Sequence, residues 1–258
     1  MSLPIWTPDA LRSEARQFTG TAWRFVEAQH VISTRKLVNN NVEQEELERI
    51  LEESKPTLPD DCRNLNFLLF TPFRYRPYPN GSRFRRTQST HGVWYGAERP
   101  ETAAAEMVFY RFLFYAESPN TPFPVDAAKY TAFSANIKTL AAIDLTEPAL
   151  VHDNKHWTHL TDYGACQQLA ETVRKIEGEV IRYYSVRDPK KGANIAVLSC
   201  RAFARSKPVD LQTWHIQIGK TGAQVVCEHP KMTLKFMPDA FAPDPRLEGM
   251  NWERPRAE

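Results

Sequence analysis

Residues 66–112 read NFLLFTPFRYRPYPNGSRFRRTQSTHGVWYGAERPETAAAEMVFYRF, and the rest of the chain is organised around them. The run 67–70 is short, aromatic-rich and bounded by turn residues, which predicts a buried strand with Arg74 and Tyr75 at its end. A basic loop with Gly81, Arg83, Arg85 and Arg86 follows, and residues 92–97 read as a short strand carrying Tyr95. Pro100 suits the first turn of a helix, where a missing N–H costs nothing. That helix holds a single acid near its middle, Glu106, among Ala103, Ala104, Ala105, Met107 and Val108. Three alanines keep the helix surface low enough for a ligand or another chain to approach. Arg74 offers a planar fork of donors suited to phosphate. Equally, it could be a structural ion-pair partner of Glu106, since such pairs also perturb pKa values.

Outward from this stretch, composition excludes several classes. With 258 residues, 42% of them hydrophobic and 25% charged, the chain can bury a sizeable core. Its net charge of +2 calls for neither nucleic acid nor an anionic membrane as a partner. Arg83, Phe84, Arg85 and Arg86 make too short a stripe for nucleic acid and fit a small anionic ligand better. Cys62, Cys166, Cys200 and Cys227 are widely spaced, with no Cys-x-x-Cys, which predicts no disulfide framework and a reducing cytoplasm. The N-terminus has no basic start followed by an apolar core, and no apolar run is long enough to span a membrane.

Upstream, Thr7-Pro8-Asp9 predicts a helix start, and residues 22–28 alternate as a strand. Asn41 with Gln44 three residues on predicts a capping box, opening a helix over 42–54 that buries Val42, Leu47, Ile50 and Leu51. The Pro-rich connector 55–61 marks off an N-terminal extension over 1–60. Downstream, 117–126 is a loop and 135–145 one or two short strands. Residues 152–162 are polar, and Asp162 is positioned to cap a helix through Lys175. An extended segment at 181–188 precedes a buried strand at 193–200. A meander follows over 211–237, with a hairpin turn at 219–222. The main domain therefore covers 61–237, before an irregular Pro-rich tail at 238–258. Without β-α-β-α alternation, the fold class is α+β.

No phosphate-binding glycine loop or nucleophile elbow is present. His152, His156 and His159 have zinc-like spacing but lie in a loop-like context, so no metal is expected. Ser185 has no adjacent base and is a poor nucleophile, but it can donate a hydrogen bond.

The order Arg74-Tyr75, Ser82-Arg83-Phe84 before GVWYGA, TAAAE ending at Glu106, and YYSVRD with Ser185 resembles the RES domain, over residues 67–204. Members of that family are toxins paired with Xre-type helix-turn-helix antitoxins. The resemblance implies a split-sheet core similar to ADP-ribosyltransferases. It implies NAD as substrate, cleaved at the nicotinamide–ribose bond by hydrolysis or phosphorolysis. It also implies roles for Arg74, Tyr75 and Glu106 in catalysis, and for Arg83, Tyr95 and Ser185 in binding NAD. An assembly with more than one copy inside the antitoxin complex is compatible with it. Ser82-Arg83-Phe84 departs from the family's usual Gly-Arg-Trp. The rival readings are a protein ADP-ribosyltransferase and a non-enzymatic module whose Arg74–Glu106 pair is structural.

Overall fold

The computed structural model describes residues 6–28, 38–75 and 81–257, so residues 76–80 of the quoted stretch and the first five of the N-terminus lie outside it. Helix α1 (Pro8–Glu14) begins on Thr7, whose Oγ1 accepts the Ala10 N–H. Strand β1 (Arg16–Glu27) precedes helices α2 (Asn41–Ser54) and α3 (Phe67–Arg74). Then come β2 (Trp94–Ala97), α4 (Pro100–Glu117) and the long β3 (Ala128–Asp144). Two single-turn helices, α5 (Pro148–Val151) and α6 (Asn154–Trp157), lead to α7 (Gly164–Lys175). The chain continues through β4 (Val180–Tyr184), β5 (Ala193–Val197), β6 (Leu211–Gly219), β7 (Gly222–Cys227) and β8 (Met232–Phe236).

The strands run in the order β1-β2-β5-β4-β3-β6-β7-β8, and β1 also pairs with β3. That second pairing runs from Arg16 opposite Ala142 to Glu27 opposite Tyr130, and it closes β1, β2, β5, β4 and β3 on themselves. Closure leaves no free edge among these five strands, and the sheet's remaining edge is β8, which pairs with β7 alone. The segment before residue 61 is thus woven into the sheet through β1. The expected meander is present as β6-β7-β8, with Gly219 opposite Gly222 at its first turn.

Side chains alternate across a strand, so β5 sends Ile195 and Val197 to one face and Asn194 and Ala196 to the other. The first face packs with Trp94, Phe133 and, from α3, Leu69 and Phe73. The second is covered by α4 and α7. Within α4, Phe109 and Phe112 are fully buried, and each such side chain contributes about 1.5–3 kcal/mol.

Three expectations are corrected. Residues 67–70 are not a strand but the start of α3: Asn66 Oδ1 accepts the Leu68 N–H, and Leu69 and Phe73, one turn apart, are the buried pair. An apolar run this short does not distinguish a strand from a buried turn of helix. Helix α2 does not bury the face predicted. Val42 is 76% exposed and Ile50 50%, whereas Gln44 is buried. Its cap lies one residue earlier, with Asn40 Oδ1 accepting the Glu43 N–H and the Glu43 carboxylate accepting the Asn39 N–H. Finally, Cys62 and Cys200 form a disulfide, Cα–Cα 5.5 Å, while Cys166 and Cys227 are free and buried. Separated by 138 positions, these two cysteines meet only through the fold, so spacing could not pair them.

The tail after β8 is irregular, as its prolines suggest, yet packed. Phe241, Leu247 and Met250 join the core beneath α4. Arg254 donates to the carbonyls of Tyr115, Ser118 and Thr121, which ties the tail to the end of α4 and the turn that follows it. Among the described residues no helix is long and apolar enough to cross a membrane.

Candidate active site

Glu106 lies on the face of α4 turned toward β4 and β5. Its Oε1 accepts hydrogen bonds from Ser185 Oγ (2.7 Å) and Asn194 Nδ2 (2.6 Å). Among the described residues Oε2 has no protein donor. The carboxylate is thus anchored through one oxygen and available through the other.

Its two anchors are themselves fixed. Ser185 directly follows β4, and its Oγ accepts the backbone N–H groups of Arg187 and Asp188 (3.1 and 3.0 Å). Its single proton is thereby directed to Glu106. Asn194 is 4% exposed, and its Oδ1 is buried with no partner. Only Nδ2 can face a carboxylate, so the amide has one possible orientation. The turn between the anchors is closed by Ser185 N–H donating to Gly192 O, and by Asp188, whose carboxylate accepts from Thr102 Oγ1, Lys190 N–H and Gly192 N–H. A Cβ on Gly192 would lie 2.1 Å from Thr102 Oγ1, so no larger residue fits there.

Two tyrosines, Tyr110 and Tyr183, feel the Glu106 charge, and a third, Tyr95, adjoins them. The Tyr95 hydroxyl accepts the Phe84 N–H (3.0 Å) and shares a hydrogen bond with Ser82 Oγ (2.9 Å). Burial pushes its phenol up to about 12, against a smaller opposing effect of these hydrogen bonds and Arg83. Burial also raises Tyr183 well above its ordinary value, and the Glu106 charge adds to this. Tyr110, one turn beyond Glu106 on α4, is raised first by its surroundings and next by the same charge.

The structure therefore unites Glu106, Ser185 and Tyr95, but not Arg74 and Tyr75. Arg74 donates to Glu52 Oε1 (2.6 Å) and the Pro56 carbonyl (2.6 Å). Helix α3, whose last turn carries it, packs on the opposite face of β5 from α4. Arg74 is neither a structural partner of Glu106 nor a clamp beside it. Tyr75 follows it, with its carbonyl accepting from Arg85. Arg83 is close to the site but committed. Its guanidinium donates to the Trp157 and His159 carbonyls (2.7 and 3.0 Å) and lies over the Tyr163 ring. His159 Nδ1 accepts from the Asp162 N–H, and among the described residues no cluster of acids, histidines or cysteines could hold a metal.

Asn194, Tyr110 and Tyr183 were missed from sequence. For Asn194 a signal existed, since it is the one polar residue in the strand Ala193–Val197. Also missed was a charged cluster against the same helix. Arg187 lies over the Phe109 ring (3.8 Å) and pairs with Asp244 (2.5 Å), which Arg246 also grips (2.9 Å). Burial alone would raise the Asp244 carboxyl, but the Arg246 hydrogen bond and the Arg187 charge outweigh it and hold it low.

Three comparisons with known proteins bear on this arrangement. A family model, the RES domain, matches residues 58–218, a span that includes Arg83, Tyr95, Glu106, Ser185 and Asn194. No curated protein matches. Among solved structures, the M. tuberculosis MbcT-MbcA toxin-antitoxin complex aligns with a TM-score of 0.45 at 12% identity, over 92% of this chain and 95% of that chain.

Proposed function

Since this chain belongs to the RES domain family, we propose that it is the toxin of a bacterial toxin–antitoxin pair and that it depletes NAD by cleaving the nicotinamide–ribose bond. The observation that carries the reading is Glu106, held through Oε1 by Ser185 and Asn194, with Oε2 unbonded among the described residues. Breaking the glycosidic bond sends its electron pair to nicotinamide and leaves a ribosyl cation. A fixed carboxylate stabilises that charge as it develops, and it does so without reorganising at the moment of reaction. Nicotinamide leaves as a neutral molecule and needs no strong general acid. An acceptor oxygen from water or phosphate then bonds to the ribose carbon and releases its proton to solvent. The family implies an ADP-ribosyltransferase-like architecture, and we assign that role to the five strands that close on themselves and to α4 laid across one face. An enzyme of this kind needs a restraint in its own cell, so an Xre-type antitoxin that covers the site belongs to the proposal.

Purified chain incubated with NAD should release nicotinamide. Free ADP-ribose as co-product indicates hydrolysis, and its phosphate ester indicates phosphorolysis. ADP-ribosylated protein in a lysate would instead support a transferase. A folded preparation that leaves NAD intact, with and without phosphate, removes the proposal. In cells, expression alone should arrest growth, and co-expression of the helix-turn-helix partner should restore it.

A further inference from the structure

Resting on that reading of NAD as substrate, we infer that Arg246, from the segment after the last strand, binds the substrate's diphosphate. The expected phosphate ligands are committed elsewhere: Arg74 to Glu52 and Pro56, Arg83 to two backbone carbonyls. Against α4, by contrast, two guanidinium groups share one carboxylate. Arg187 and Arg246 both pair with Asp244, both donate to the Leu160 carbonyl and both lie over the Phe109 ring. One positive charge is left over in a largely dry setting, which favours an incoming anion.

Of the two, only Arg246 can meet a ligand. Its side chain is 28% exposed, against 5% for Arg187. Nε and Nη2 hold Asp244, Nη2 also reaches the Leu160 carbonyl, and the Tyr163 side chain is a further, uncharged hydrogen-bond partner of the guanidinium; among the described residues Nη1 has no carboxylate to neutralise it. The cluster adjoins the carboxylate's surroundings. Phe109 packs edge-on against Tyr110 (5.5 Å), and Tyr110 feels the charges of both Glu106 and Arg187. In NAD the nicotinamide ribose joins the diphosphate through a single methylene, so a cation beside the ribose-facing acid is suitably placed. A fork already aligned by Asp244 gives up little freedom on gripping phosphate. Arg246 lies outside the matched span 58–218.

The test compares two substrates. Nicotinamide riboside has the scissile bond but no phosphate. Arg246→Gln should raise KM for NAD about 10- to 100-fold, the range expected for one charged hydrogen-bonded contact. Turnover of nicotinamide riboside should be unchanged. A role confined to bracing the fold would depress both substrates alike, and that result overturns the inference. Inorganic diphosphate provides a probe independent of cleavage. It should raise the melting temperature of the unaltered chain but not of Arg246→Gln, and equal stabilisation of both overturns the inference too. If Arg246→Gln melts early, Arg246→Lys carries the comparison. It keeps the charge and loses the fork, and should give an intermediate KM for NAD. An unaltered chain that ignores NAD yet responds to diphosphate through Arg246 rejects the cleavage reading and leaves this site standing.

Discussion

At Glu106 the structure separates two roles that residue types alone leave equal. The carboxylate is bonded to a hydroxyl and an amide, not to a guanidinium. Glu106→Gln should therefore leave no buried cation unpaired and should melt close to the unaltered chain; a broken buried pair would instead cost roughly 3–5 kcal/mol. If Glu106 stabilises a charge present mainly in the transition state, kcat should fall on the order of a hundredfold or more while NAD affinity holds. Melting curves and NAD turnover of this one variant check both statements. Tyr95 predicts a pH effect. Its folded-state value of about 12 lies above the ordinary 10 because burial disfavours the phenolate. The native state thus resists losing the proton, and stability is lost as pH rises from about 10 toward 12. Tyr95→Phe should flatten that fall in melting temperature, and an unchanged alkaline slope would refute the assignment. The sequence singled out Glu106 by its apolar, alanine-rich setting, whereas Ser185 and Tyr95 were drawn in by the family resemblance; the structure hydrogen-bonds Ser185 to Glu106. Arg74 was misread because its partners, Glu52 and Pro56, come from a separate segment that no local pattern links to it.

Among the elements, the turn from Ser185 to Gly192 decides the position of the carboxylate's anchors. Gly192→Ala would drive a methyl group against Thr102 Oγ1 and Asp188 Oδ2. Overpacking of this kind costs about 1–3 kcal/mol, to be read as a lower denaturant midpoint at constant slope. Activity should fall further than stability does, since the displaced groups hold Ser185. Helix α4 was readable from Pro100 at its first turn, and the meander from its turns and alternation. Helix α3 was not, because an apolar stretch of four residues has too little length to display a period. For α2 the period was visible but its direction misled. The pattern names a face, and only the neighbouring elements determine whether that face is covered.

For the whole molecule, the Cys62–Cys200 disulfide links the segment before α3 to the exit of β5. Reduction should lower the melting temperature, with a loss of about 2–4 kcal/mol. Thiol titration of the denatured, unreduced chain should count only Cys166 and Cys227; reaction at all four cysteines would disprove the bridge. The closing pair β1–β3 was likewise invisible in the sequence, since its partners lie more than a hundred positions apart. The clasp of Asp244 on Arg187 extends this to the order of synthesis. A ribosome completes Glu106, Ser185 and Asn194 well before it reaches Asp244. Until then Arg187 has no counter-charge, and the turn that aims Ser185 at Glu106 lacks its brace. A half-made polypeptide thus lacks the assembled carboxylate, and the site matures only as the final segment docks. Stop codons placed just before residue 244 should therefore give chains that a growing cell tolerates.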